Sequence, residues 1–209
     1  MPILDFILHI DAHLGEIIAQ YGTLTYLFLF LIIFVETGLV FTPFLPGDSL
    51  LFAAGAFAAG GFLNIFWLIF LLILAAVSGD TSNYWIGHLF GRKILAHPKI
   101  PINPNHIKKT EEFFDKYGGK TIILARFVPI VRTFAPFVAG IGKMNYSKFI
   151  SFNVIGGVAW VLVGTLAGWF FGNIPFVRKN FSLVILAVIL ISLIPIFWEI
   201  KKANGKKHR

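Results

Sequence analysis

The 209 residues are 57% hydrophobic and 13% charged, with a mean hydropathy of +0.80 and a formal net charge of +8. Soluble domains carry about a quarter of their residues as charged, so a water-exposed globule is excluded and lipid must cover much of this chain. The cationic excess gathers at 92–120 and 201–209, beside long apolar runs, as in cytoplasmic loops. That placement argues against a nucleic-acid partner.

Taken in order, residues 3–20 form a short, mildly amphipathic stretch expected to lie at the membrane interface. They carry Asp5, Asp11 and Glu16 but no Lys or Arg, so no cleavable signal peptide is expected. Residues 24–41 are apolar except for Glu36 and are long enough to span. Residues 42–61 are apolar but interrupted by Pro43, Pro46, Gly47 and Asp48. Residues 63–90 make a second span, with Asp80, Asn83 and Tyr84 toward its end.

The polar stretch 92–120 contains one amphipathic helix. Asn103 suits its cap, Pro104 its first turn, and Gly118-Gly119 its end. Ile107, Thr110, Phe114 and Tyr117 recur at helical spacing, which fits a helix along the cytoplasmic face or a solvated linker helix. Residues 121–142 are again apolar but broken by Arg126, Pro129, Arg132 and Pro136. Spans at 149–172 and 181–198 and a Lys-rich tail complete the chain.

Proline removes a backbone donor and disrupts the turn before it. Lipid tolerates such backbone only where protein or a cavity covers it. Segments 42–61 and 121–142 are therefore expected to be re-entrant hairpins. A repeat supports this: FLPGDSLLFAAG (44–55) leads to a GxxxG at 87–91, and FVPIVRTFAPFVAG (127–140) to one at 168–172. Each unit, one hairpin and one span, crosses an odd number of times, so the two must be inverted. The expected fold is an all-α polytopic membrane protein, a single domain over 1–209. It has about four spanning helices plus two oppositely oriented re-entrant hairpins in an inverted repeat, with amphipathic surface helices. Both termini fall in the cytoplasm, and Arg178 and Lys179 on the outer side are a mild violation of the charge rule.

Charges within apolar runs cost about 2.5–3.5 kcal/mol each at a helix centre, which makes them functional candidates by default. Arg126 and Arg132 would point about 120° apart on an unbroken helix, but breaks at Pro129 and Pro136 let both turn into one cavity. Their forks match phosphate or carboxylate oxygens; the plainer alternative is that each pairs with an acid and holds helices together. Asp48 suits the N-cap of the hairpin's second helix, and capping leaves proton chemistry open. Glu36 has no local capping task and suits proton exchange. Asp80, Asn83 and Tyr84 read as latches for a hairpin. With no Cys, and with His88, His97 and His106 lacking ligand spacing, neither a metal nor another cofactor is expected.

The motifs ETGLVFTPFLPGDSLL, GDTSNYWIGHLFGRK and RFVPIVRTFAPFVAG, covering Glu36, Asp48, Asp80, Arg126 and Arg132, resemble the DedA family of bacterial membrane proteins, whose relatives include eukaryotic lipid scramblases. The resemblance extends over nearly the whole chain. It implies a proton-gradient-dependent transporter in the bacterial cytoplasmic membrane that moves a lipid carrier, undecaprenyl phosphate. It assigns proton-related roles to Glu36 and Asp48 and essential basic roles to Arg126 and Arg132, which with their phosphate-matching forks are expected to bind the phosphate. Pro46, Gly47, Asp80, Asn83, Tyr84, Pro129, Thr133 and Pro136 support them. Membrane lipids, the polyprenyl phosphate and protons are the expected partners, and a homo-oligomer is compatible. A proton-coupled small-ion or cation antiporter and a lipid scramblase remain alternatives, with an assembly factor a further reading. An enzyme acting on lipid phosphates is not expected, since no His or Ser nucleophile accompanies the arginines.

Overall fold

The structure, a computed structural model, describes residues 21–39, 47–96 and 104–179. All regular structure among the described residues is helical: α1 (Thr23–Gly38), α2 (Gly47–Ala59), α3 (Ile65–Ala96), α4 (Pro104–Tyr117), a 3₁₀ turn (Gly118–Lys120), α5 (Thr121–Ala125), α6 (Pro129–Ile141), α7 (Tyr146–Gly172) and α8 (Pro175–Lys179). Two compact units result, one from Met1–Tyr26, Pro46–Leu68 and Val163–Arg209, the other from Leu27–Leu45 and Ile69–Leu162.

Within α3 and α7, Ile65–Gly91 and Tyr146–Gly172 are each 27 residues long and only 33% buried over their most apolar windows. At 1.5 Å per residue each reaches roughly 40 Å, more than the ~30 Å hydrocarbon core. Phe66 is 81% exposed, and Trp67, Phe70, Val163 and Phe170 are exposed with it. A core helix of a soluble protein would bury such side chains, so these faces belong to lipid. Among the described residues, two spans are therefore clear. The apolar run expected at 24–41 appears as the 16-residue α1. The expected interfacial stretch at 3–20, the expected span at 181–198 and residues 42–46 of the first expected hairpin lie outside the described residues.

The second proline-rich segment is a helix–break–helix. Val128 is extended (φ −122°, ψ 102°), because a residue preceding proline is pushed out of the helical region. Pro129 then opens α6, where its missing N–H costs nothing. Pro136 does not break the chain as expected; it sits inside an uninterrupted α6, where packing against α3 offsets the lost bond. The amphipathic helix matches its expected bounds. It ends where Gly118 takes φ +56°, a left-handed turn that favours glycine.

Glycines knit the short helices to the long ones in the same way in both units. In one, a Cβ at Gly55 would fall on the Thr165 carbonyl, at Gly168 on the Phe52 carbonyl, and at Gly172 on the Ala56 backbone. In the other, a Cβ at Gly140 would fall on the Tyr84 carbonyl, at Gly87 on the Phe137 carbonyl, and at Gly91 on the Ile141 side chain. The two sets correspond position by position, and each proline-rich segment's helix packs on the GxxxG that follows the other one. The repeat read from sequence is thus a repeat of contacts.

Candidate functional site: two buried arginine–carboxylate pairs

Unit two brings four of the expected charges together in pairs. Arg126, at the C-terminal end of α5, donates from Nη2 to Asp80 Oδ2 at 2.5 Å. The same nitrogen reaches Asn153 Oδ1 at 2.5 Å and the Ala76 carbonyl at 3.5 Å. Asn153 is itself fixed, because its Nδ2 donates to the Val77 carbonyl at 3.0 Å. Gly156 and Gly157 leave room for this arginine, since a Cβ at Gly156 would stand 3.2 Å from its Nε. Arg132, in the first turn of α6, donates to Glu36 Oε1 at 2.6 Å. Glu36, Asp80 and Arg126 are 2–3% exposed and Arg132 is 9% exposed, so all four charges are removed from bulk water. Such charges persist only when paired and hydrogen-bonded.

One aromatic ring serves both cations. The Trp160 indole lies 5.8 Å from the Arg126 guanidinium carbon and 5.0 Å from that of Arg132. A buried ring face attracts cations through its quadrupole, which offsets part of the repulsion between two like charges held near each other.

The remaining expected residues have these places. Asn83 is fully buried and its Nδ2 donates to the Thr37 and Thr133 carbonyls, at 3.2 and 2.9 Å. It thereby ties the end of α1 and the start of α6 to α3. Tyr84 donates from its hydroxyl to the Met144 carbonyl at 2.5 Å and stacks on Phe149 at 4.4 Å. Gly79 admits α1 closely, because a Cβ there would fall on Thr37 Oγ1. Pro129 begins α6 and Pro136 lies within it. Asp48 belongs to the other compact unit, exposed in the first turn of α2 behind buried Gly47, one residue inside the helix rather than at its cap. Pro46 lies outside the described residues.

Two participants escaped the sequence reading. Asn153 was legible only as one polar residue in an apolar span, and Trp160 as one Trp of five. No group of three or more His, Asp or Glu suited to a metal occurs among the described residues.

Two long helices with exposed apolar faces and, in one compact unit, a set of buried, paired charges define a helical membrane protein. Residues 45–170 match the VTT domain. Protein DedA of Escherichia coli K12 is 56% identical over 196 residues, covering 92% of this chain and 90% of that protein. The inner membrane protein YqjA of the same organism is 33% identical over 191 residues, covering 86% of each. A membrane protein of Mycobacterium tuberculosis H37Rv is 46% identical over 168 residues, covering 79% of this chain and 74% of that one. No solved structure matches. The chain belongs to the DedA family of membrane proteins.

Proposed function

We propose that this protein moves a polyprenyl phosphate across the bacterial inner membrane, driven by the proton gradient. The observation that carries the reading is the buried bond between Arg132 and Glu36 beside a second arginine on the same indole. A carboxylate and a phosphate compete for the same guanidinium donors. Protonating Glu36 removes its charge and weakens its hold on Arg132, and a phosphate takes its place. Losing the proton restores the pair and expels the phosphate. Arg126 stays bound to Asp80 and adds fixed positive potential, while the isoprenyl tail remains in lipid. Asp48, exposed at the start of α2, is the second proton carrier.

In this reading the two proline-rich segments are re-entrant hairpins entering from opposite faces, with both chain termini in the cytoplasm. The matching glycine contacts in the two units support such a repeat, and the inner-membrane name of YqjA supports the location. No bond is made or broken in the cargo, so the protein is a carrier and not an enzyme.

The test is flipping of a polyprenyl phosphate in proteoliposomes under an imposed proton gradient. Arg126→Ala and Arg132→Ala should both lose transport; wild-type rates from both would end the mechanism. Equal rates with and without the gradient would favour a scramblase. Proton movement that requires a small-ion gradient and no lipid phosphate would favour an ion antiporter.

A further inference from the structure

A groove in the same compact unit is lined by none of the paired charges. The α4 helix, the end of α6 and the first turns of α7 line this open groove of about 1000 Å³. Its floor is apolar, built from Ile107, Phe114, Val138, Ile141, Met144 and Phe152. Its charged lining is Glu111 and Asp115 from α4 and Lys148 from α7. The two acids are four residues apart and so share one face of α4. They form an acidic spot in a segment that is otherwise rich in Lys. Lys148 stands in the first turn of α7, where its backbone N–H is capped by Asn145 Oδ1 at 3.3 Å. The positive end of a 27-residue helix therefore opens on the same groove.

This combination selects its occupant. An apolar floor disfavours a wholly polar solute, and a membrane protein is surrounded by amphiphiles. Two carboxylates beside one ammonium complement a zwitterion, cation toward α4 and anion toward α7. A primary ammonium can donate to both carboxylates, whereas a trimethylated one has no N–H to give.

We infer that this groove binds an amine-bearing phospholipid from the surrounding leaflet. Its ammonium sits on Glu111 and Asp115, its phosphodiester beside Lys148, and the start of its acyl chains on the apolar floor. The site does not depend on the translocation reading.

The experiment is native mass spectrometry of the purified full-length protein with dioleoyl phosphatidylethanolamine, phosphatidylcholine or phosphatidylglycerol. The wild type should retain the ethanolamine lipid about fivefold better than the choline lipid, the factor expected of a partly exposed charge pair. The double variant Glu111→Gln/Asp115→Asn, on exposed positions that do not threaten folding, should abolish that preference. Lys148→Gln should weaken all three lipids alike. Arg132→Ala should leave the preference unchanged even where transport is lost, which separates this site from the translocation pathway. Equal retention of ethanolamine and choline lipids by the wild type would overturn the inference, as would a preference that survives the acid variant. So would retention of none of the three lipids.

Discussion

Arg126 and Arg132 carry the same charge, face the same indole and lie six residues apart, yet they are fixed at different kinds of place. Arg126 bonds to positions well inside two long helices, Asp80 and Ala76 on α3 and Asn153 on α7. Arg132 bonds to Glu36, and both belong to helix ends: Glu36 to the last turn of α1, Arg132 to the turn after the Val128–Pro129 break. Its N–H makes the first helical bond of α6, to the Val128 carbonyl at 2.9 Å. A mid-helix contact moves only if the helix moves, whereas helix ends yield with little loss of packing. In the proposed mechanism the first pair is therefore the framework and the second the one that exchanges. Their similar chemistry hides that division.

The largest effect should come from breaking the framework pair. Asp80→Ala leaves a buried guanidinium without its counter-charge, a change worth about 3–5 kcal/mol. Thermal unfolding in detergent, followed by size-exclusion of the intact protein, should show a clear loss of stability. A melting point unchanged from wild type would erase the distinction between the pairs.

Next comes the exchangeable pair. Arg132→Ala should cut lipid-phosphate transport by about ten- to a hundredfold, the loss expected of a charged hydrogen bond of about 1.5–3 kcal/mol. Glu36→Gln resembles the protonated acid at all pH values. It should keep phosphate binding while removing the dependence of transport on external pH. If Glu36→Gln retains the wild-type pH profile, Glu36 is not the proton carrier.

The charges themselves were legible in the sequence, because an ionisable residue in an apolar run is conspicuous and costly. Glu36, Asp80, Arg126 and Arg132 stood out on that ground alone. That each arginine pairs with an acid was one of the two readings open from sequence, but which acid meets which arginine was not legible. It depends on which faces of α1, α3 and α7 meet, and the apolar composition of those helices carries little directional signal. Asp80 thus read as a latch, though it is the partner of Arg126. Local backbone chemistry was readable where a single residue decides the outcome, as at Pro104, Gly118 and the Val128–Pro129 break. It misled at Pro136, where tertiary packing overrides the proline. The repeat was visible as spacing, but its exchange of partners was not. Sequence groups each proline-rich segment with the GxxxG that follows it, whereas Gly168 meets Phe52 and Gly87 meets Phe137.

That exchange makes a matched prediction. Gly87→Ala and Gly168→Ala each push a methyl onto an opposed carbonyl, and overpacking of this kind costs about 1–3 kcal/mol. The two losses should be alike in thermal unfolding, since the contacts correspond. A large loss at one site and none at the other would mean that the repeat is one of sequence only.

The smallest effect, and the one that returns to the two arginines, belongs to Trp160. Its indole holds both guanidiniums by attraction worth about 0.5–2 kcal/mol each. Trp160→Leu keeps an apolar side chain in a 3%-exposed site but removes the ring face. Trp160→Phe keeps a ring of weaker quadrupole. If the ring only fills space, Leu and Phe should behave alike, and any transport loss should track stability. If it positions the cations, Phe should recover much of the transport that Leu loses while the two melt at similar temperatures. The half-saturating phosphate concentration should then rise more than the maximal rate falls, because binding geometry is what the ring supplies. The Arg132 side should suffer more than the Arg126 side, since Asp80 and Asn153 hold Arg126 in place without the ring. Combining Trp160→Leu with Asn153→Ala should therefore cost more than the two changes separately, each having been the other's support for Arg126.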